Sequence, residues 1–187
     1  MPRSDEEILV RLRKRADQMD PNALCNLGIK YGCGRNGLSV DQAKCVELLR
    51  ESASLGFPPA QYQLGVFHHS GDMGLEQNEE KSLKYHEEAA AGGHIIARHN
   101  LGCTAYENSD HVAAMRYWGL SASGGYKWSM DSLIDCFEHG FLYHGDLAKT
   151  LQAFYRSKAE MKSDGRDQHI KNLKETGRYD GEDYDVY

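Results

Sequence analysis

The residues best able to do chemistry are few. His99 and Cys103 stand four apart, so one helical face would carry an imidazole and a thiol. The register of the chain sets Asp131 and Asp135 alongside them, and a His/Cys/Asp set of that kind can hold zinc. A simpler reading competes with it. With nine histidines in the chain, chance pairs are common, and a single histidine on a helix is usually a half-buried, hydrogen-bonded side chain. His68-His69 is a weaker signal still. The chain has no G-x-S-x-G, no P-loop and no dinucleotide fingerprint. Its many carboxylates fall on helix surfaces, where solvated charge is the ordinary state. The expectation is therefore a protein without catalytic residues, metal or cofactor. A metal-dependent or hydrolytic enzyme using His99, Cys103 and Asp135 is the alternative.

A second set of residues repeats. Asn26, Gln63 and Asn100 follow one another at steps of 37 residues. An amide at one position in each unit can donate to and accept from an extended peptide. It can equally cap local backbone or face water. The same register collects Asn22, Cys25, Ile29 and Gly32 around Asn26, and Tyr62, Val66 and His69 around Gln63. Around Asn100 it collects His99, Cys103 and Tyr106, and one unit further on Trp128 and Asp131. Tyr62, His99, Tyr106 and Trp128 are candidate anchors, because interface energy concentrates in aromatics. Packing between neighbouring helices is the other use for them.

The elements that position these side chains follow from the period. Ala23-x-x-x-Leu27-Gly28 recurs as Ala60-x-x-x-Leu64-Gly65 and as Ala97-x-x-x-Leu101-Gly102, both steps being 37 residues. Ala53 and Gly56, Ala90 and Gly93, and Ala122 and Gly125 follow in step. A period in this range marks stacked helical units. Each unit reads as two helices. Ala23, Leu27, Gly28 and Tyr31 make one apolar face of the first. Glycine inside a helix costs about 1 kcal/mol against alanine, so Gly28, Gly65 and Gly102 imply a partner helix crossing too close for a Cβ. Gly-rich loops over 32–37 and 71–74 join the helices. Ser39-Val40-Asp41-Gln42 and Asn78-Glu79-Glu80 open the second helix, and Gly56, Gly93 and Gly125 end it in left-handed caps.

The organisation predicted is an N-terminal capping helix over 1–20 and repeats over 21–57, 58–93 and 94–125. A degenerate fourth repeat spans 126–162, and a polar tail 163–187. The first helix is expected to follow a capping box at Ser4-Asp5-Glu6-Glu7, to bury Ile8, Leu12, Ala16 and Met19, and to stop near Asp20-Pro21. The tail ends in Tyr179, Tyr184 and Tyr187 among four carboxylates, with too little aliphatic content to fold alone.

Net charge is −6, which argues against non-specific nucleic-acid binding. The one basic cluster, Arg11, Arg13, Lys14 and Arg15, reads as a solvated helix face. No apolar run reaches the roughly 20 residues of a membrane span, and no secretory signal opens the chain. Five cysteines without a C-x-x-C spacing read as free thiols in a reducing compartment. A cytoplasmic monomer is expected.

The repeated residues resemble the Sel-one-like repeat, a relative of the tetratricopeptide repeat. The resemblance rests on Ala23, Leu27, Gly28, Tyr31, Gly34, Gly37, Asp41, Ala53 and Gly56 in the first unit, and on Ala60, Leu64, Gly65, Gly71, Gly74, Tyr85, Ala90 and Gly93 in the second. The third keeps Ala97, Leu101, Gly102, Trp118 and Ala122. It implies an all-α solenoid of antiparallel helix pairs wound as a right-handed superhelix. The role it implies is that of an adaptor or scaffold, with a peptide or protein domain held in a concave groove. That groove would be lined by Asn26, Ile29, Tyr62, Gln63, His69, His99, Asn100 and Tyr106. The family's secreted branch is stapled by paired cysteines and has been linked to β-lactam hydrolysis; the cysteines here do not form that recurrent pairing. A partial copy of a larger adaptor, completed by another chain, is a further reading.

Overall fold

The computed structural model of the chain describes residues 5–161; Ser4 of the expected capping box and the tail from 163 lie outside them. Every described element is an α-helix. In order they are α1 (Asp5–Ala16), α2 (Pro21–Cys33), α3 (Gln42–Ser54), α4 (Pro58–Ser70), α5 (Glu79–Ala91), α6 (Ile95–Glu107), α7 (His111–Ser123), α8 (Lys127–Glu138) and α9 (His144–Met161). Two compact units divide the chain, the first reaching Ala97 and the second beginning at Arg98, inside α6.

In the first unit α2, α3 and α5 begin at side-chain caps, whereas α4 starts behind Phe57 with none. Asp20 Oδ1 accepts the Asn22 and Ala23 amides at 3.0 and 3.2 Å, with Pro21 in the first helical turn. Hydrogen bonding to the Arg15 guanidinium holds the Asp20 carboxyl below the ordinary carboxylate range. Asp41 and Asn78 cap α3 and α5 through the Lys44 and Lys81 amides, at 2.9 and 2.8 Å. The cap of α3 is thus Asp41, two residues beyond the expected Ser39. The reason is the loop: the Asp41 amide donates back to Tyr31 O at 2.9 Å, and the Asn78 amide to His68 O at 2.8 Å. Each loop must close on the helix before it, so the next helix starts only where that bond is made. Left-handed residues at Gly34, Asn36 and Gly37 recur 37 residues on at Gly71, Met73 and Gly74. One loop is built twice.

The core of this unit lies on both sides of α2. Leu24 and Leu27 pack with Leu9 and Ala16 of α1 and Leu48 of α3. Cys25 packs with Cys45, Val46 and Leu49 of α3 and Leu64 of α4. α1 buries Leu9 and Ala16, whereas Met19 is exposed in the left-handed turn beyond the helix end. The repeat glycines mark where the second helix of each pair lies close. A Cβ on Gly28 would stand 3.1 Å from Cys45 O, and one on Gly65 2.7 Å from the His86 ring. Ser52, fully buried in α3, donates to Pro21 O at 2.6 Å and so ties the end of one helix to the start of its partner.

The second unit keeps the close approach at its repeat glycine, with a larger side chain. A Cβ on Gly102 of α6 would run into the Trp118 indole of α7. Trp118, Ala114 and Ala122 of α7 form one cluster with Met130, Leu133 and Cys136 of α8 and Leu147 and Phe154 of α9. α9 therefore rests on both α7 and α8. Ile134, at the position of the repeat glycine, is half-buried against this cluster.

Candidate functional site

On the first helices the expected binding residues are unevenly available. Asn26 is exposed, but its amide donates to Asn22 O and Asn22 Oδ1, at 2.9 and 2.8 Å, so its donor serves its own helix. Ile29 is half-buried against the Cys45–Leu64 cluster. Cys25, placed on the open face by the helical wheel, is buried, and half-buried Gly32 faces α3, where a Cβ would stand 2.9 Å from Cys45 Sγ. A wheel supposes one buried face; α2 has two, one against α1 and one against α3 and α4. Gln63 is half-buried, and exposed His69 meets Glu79 through Nδ1 at 3.0 Å.

Tyr62 is taken up by neighbours. Its ring stacks on His94 at 4.4 Å between centroids and tilts against His86 at 5.6 Å. His94 Nδ1 accepts the Ala97 amide at 3.2 Å and so caps α6, which only the neutral ring can do. Burial, with His86 nearby, lowers the His94 pKa from 6.5 to about 4. Burial also lowers His86. The sign follows from linkage. The folded chain resists a proton that the unfolded chain accepts. The full stability from His94 is present above about pH 6.5 and is lost as pH falls toward 4. The melting temperature of the wild-type chain is therefore expected to drop between pH 7 and 5. His94→Asn keeps a capping acceptor without a titrating group, and should flatten part of that fall. Parallel losses in variant and wild type would show that His94 is not the group responsible.

In the second unit His99 and Cys103 do lie together, with His99 Nε2 and Cys103 Sγ at 3.6 Å. His99 Nδ1 meets Ser129 Oγ at 2.9 Å, and the ring sits edge-on to Tyr126. Burial lowers the His99 pKa and raises that of Cys103, which favours two neutral groups. Asp135 points elsewhere, to exposed His139 Nδ1 at 3.5 Å. Among the described residues no three His, Cys, Asp or Glu side chains are grouped so as to hold a metal ion. Asn100 is half-buried, and Tyr106 leans on His111 and Trp118 with centroids at 5.0 and 5.5 Å. Trp128 is 65% exposed, the most open of the aromatics singled out.

All five cysteines are unbridged. Burial raises Cys45 and Cys136 as well, and pushes Cys25 up to about 11, so these thiols are held protonated and unreactive. No described helix is long and apolar enough to cross a membrane.

A sequence model of the Sel1 repeat matches residues 21–57 and 58–94, the two units in which loop and caps repeat in step. The crystal structure of a Sel1 repeat protein from Oxalobacter formigenes superposes with a TM-score of 0.62 at 30% identity, covering 68% of this chain and 97% of that one. The chain belongs to the Sel1 repeat family. The two matched Sel1 repeats contain the αL loops, the Asp41 and Asn78 caps and the close approaches at Gly28 and Gly65. A second solved structure shares the fold alone. It is c5321, a protective antigen of uropathogenic Escherichia coli displaying an SLR fold, with a TM-score of 0.66 at 24% identity. The match covers 83% of this chain and 33% of c5321. No curated protein matches the chain. Helix pairs of an α/α solenoid are the fold class that this Sel1 repeat protein shares with both structures. The capping role of His94 was missed from sequence; its place one residue before Ile95, the first residue of α6, was the available signal.

Proposed function

We propose that this Sel1 repeat protein is a non-enzymatic interaction module. It acts as a monomeric cytoplasmic adaptor or scaffold that holds a peptide or protein domain along the groove face of its first helices. Sel1 repeat proteins are generally protein-interaction modules. The observation that carries the reading is the repetition itself. One helix–loop–helix geometry is built twice, with 37-residue steps between equivalent loop residues, which presents equivalent surface positions at regular spacing. Asn26, exposed on α2, and Gln63, half-buried on α4, hold one register in sequence, and half-buried Asn100 holds it on α6.

The test is the triple variant Asn26→Ala/Gln63→Ala/Asn100→Ala, used with the wild type to capture partners from the native cell, with circular dichroism as folding control. A hydrogen bond to a ligand contributes about 0.5–1.5 kcal/mol. Losing three should weaken a micromolar contact by one to three orders of magnitude. Full retention of partners by a folded variant would move the binding surface to the second helices. Loss of folding would show that the amides serve as local caps, the use Asn26 already makes of its donor.

A further inference from the structure

The second helices of the first unit carry a surface that none of the expected groove residues touches. Along α3, the residues Gln42, Val46, Arg50 and Ser54 fall on one stripe, about 18 Å long at the helical rise. Two recesses open along it and share Arg50. The first, of ≈ 520 Å³, has Val46, Met73 and Leu75 in its wall, with Glu47 beside Arg50. The second, of ≈ 360 Å³, is lined by Arg50, Lys81, Lys84, Tyr85 and Glu88, with Ala53 of α3. The first carries most of the aliphatic side chains and the second carries three cations.

The charges in the second recess are available. Arg50, Lys81 and Lys84 are exposed, and none forms an ion pair with a described residue. Glu47 at the first recess is engaged by Lys44 at 2.8 Å. Three cations without an ion pair line the recess against one carboxylate, Glu88, although Glu51 of α3 and Glu80 and Glu87 of α5 stand on the same helices. The floor is rigid. Tyr85 stacks on buried His68 with planes 8° apart, and Tyr85, Met73 and Leu75 rest on the Cys45–Leu64 core. A surface already ordered loses little freedom on binding.

We propose that this stripe docks an acidic peptide segment carrying an apolar anchor. The anchor residue enters the Val46–Met73–Leu75 recess, and carboxylates from about two residues away onward meet Arg50, Lys81 and Lys84. Val46 and Arg50 are about 6 Å apart along α3, or about two residues of an extended chain at about 3.3 Å each. The second recess is wide enough for more than one side chain, which favours a run of carboxylates over a single phosphate. The inference rests on the protein-binding reading and adds the chemistry of the partner.

The probe is a phage-displayed library of random dodecapeptides, panned on the full chain and on Arg50→Glu/Lys81→Glu/Lys84→Glu, with circular dichroism to confirm equal helix content. The wild type is expected to select sequences enriched in Asp and Glu near Leu, Ile, Met or Phe. A labelled peptide of the consensus sequence should bind the charge-reversed variant at least about tenfold more weakly. Added salt should weaken its binding to the wild type. The neutral set Arg50→Gln/Lys84→Gln should give a smaller loss in the same direction. The proposal is overturned if nothing is selected, if the selected peptides lack acidic enrichment, or if the reversed variant binds them equally well. Peptides lost by Asn26→Ala/Gln63→Ala but kept by the reversed variant would preserve the protein-binding reading and sink this one. Binding of phosphatidylserine vesicles without any peptide selection would likewise overturn it, in favour of a lipid surface.

Discussion

Trp118→Ala is expected to cost about 3–5 kcal/mol, the range for emptying a buried aromatic site. Trp118 is 5% exposed, and its indole fills the space above Gly102 that a Cβ would otherwise enter. Its neighbours on α7, Ala114 and Ala122, are too small to close the gap, and Met130 and Leu133 are held by α8. At roughly 2–4 °C per kcal/mol for a chain of this length, the melting temperature should fall by about 6–20 °C. Trp118→Phe keeps most of the ring and should lose markedly less. Fluorescence gives a second readout. The chain has two tryptophans, and the other, Trp128, is 65% exposed. Removing Trp118 should therefore leave only red-shifted, solvent-exposed emission. An unchanged melting point in Trp118→Ala would mean that α6 and α7 are not joined through this ring.

Gly65→Leu should give the next largest loss. A bare Cβ there already stands 2.7 Å from His86 Cδ2 and 2.8 Å from Nε2, so a leucine cannot enter unless the imidazole leaves. His86 is itself confined by Tyr62, with ring centroids 5.6 Å apart. Overpacking of this kind costs about 1–3 kcal/mol, offset by up to about 1 kcal/mol of helix propensity gained on leaving glycine. A net drop in melting temperature is expected. The variant Gly65→Leu/His86→Ala separates the causes. If the ring is the obstacle, truncating it restores part of the loss and the two changes are strongly non-additive. Additive losses would show that α4 and α5 do not meet at Gly65.

The helices α2 to α5 were legible because each residue type there answers a local demand. Asn78 starts a helix, Gly56 and Gly93 end one with positive φ, and Gly28 and Gly65 admit a neighbour, all at one period. The exact start of α3 was not legible. A Ser and an Asp two apart cap equally well in isolation, and the bond from the Asp41 amide to Tyr31 O chooses between them. The groove face was legible only in part. Periodicity on α2 could not show that α1 covers one flank while α3 and α4 cover the other, which buries Cys25 and turns Gly32 toward Cys45.

The sequence by itself determined the family, the helix pairs and the approach of one helix to the next. These depend on glycine, alanine and capping residues, whose effects act within a few residues of the chain. The tertiary structure alone decided which polar side chains are available. Tyr62 lies between two imidazoles because α4, α5 and the turn at Gly93 converge. Arg50, Lys81, Lys84 and Tyr85 share a recess only because α3 and α5 are brought side by side. Partnerships between residues some thirty positions apart follow from packing, not from local propensity.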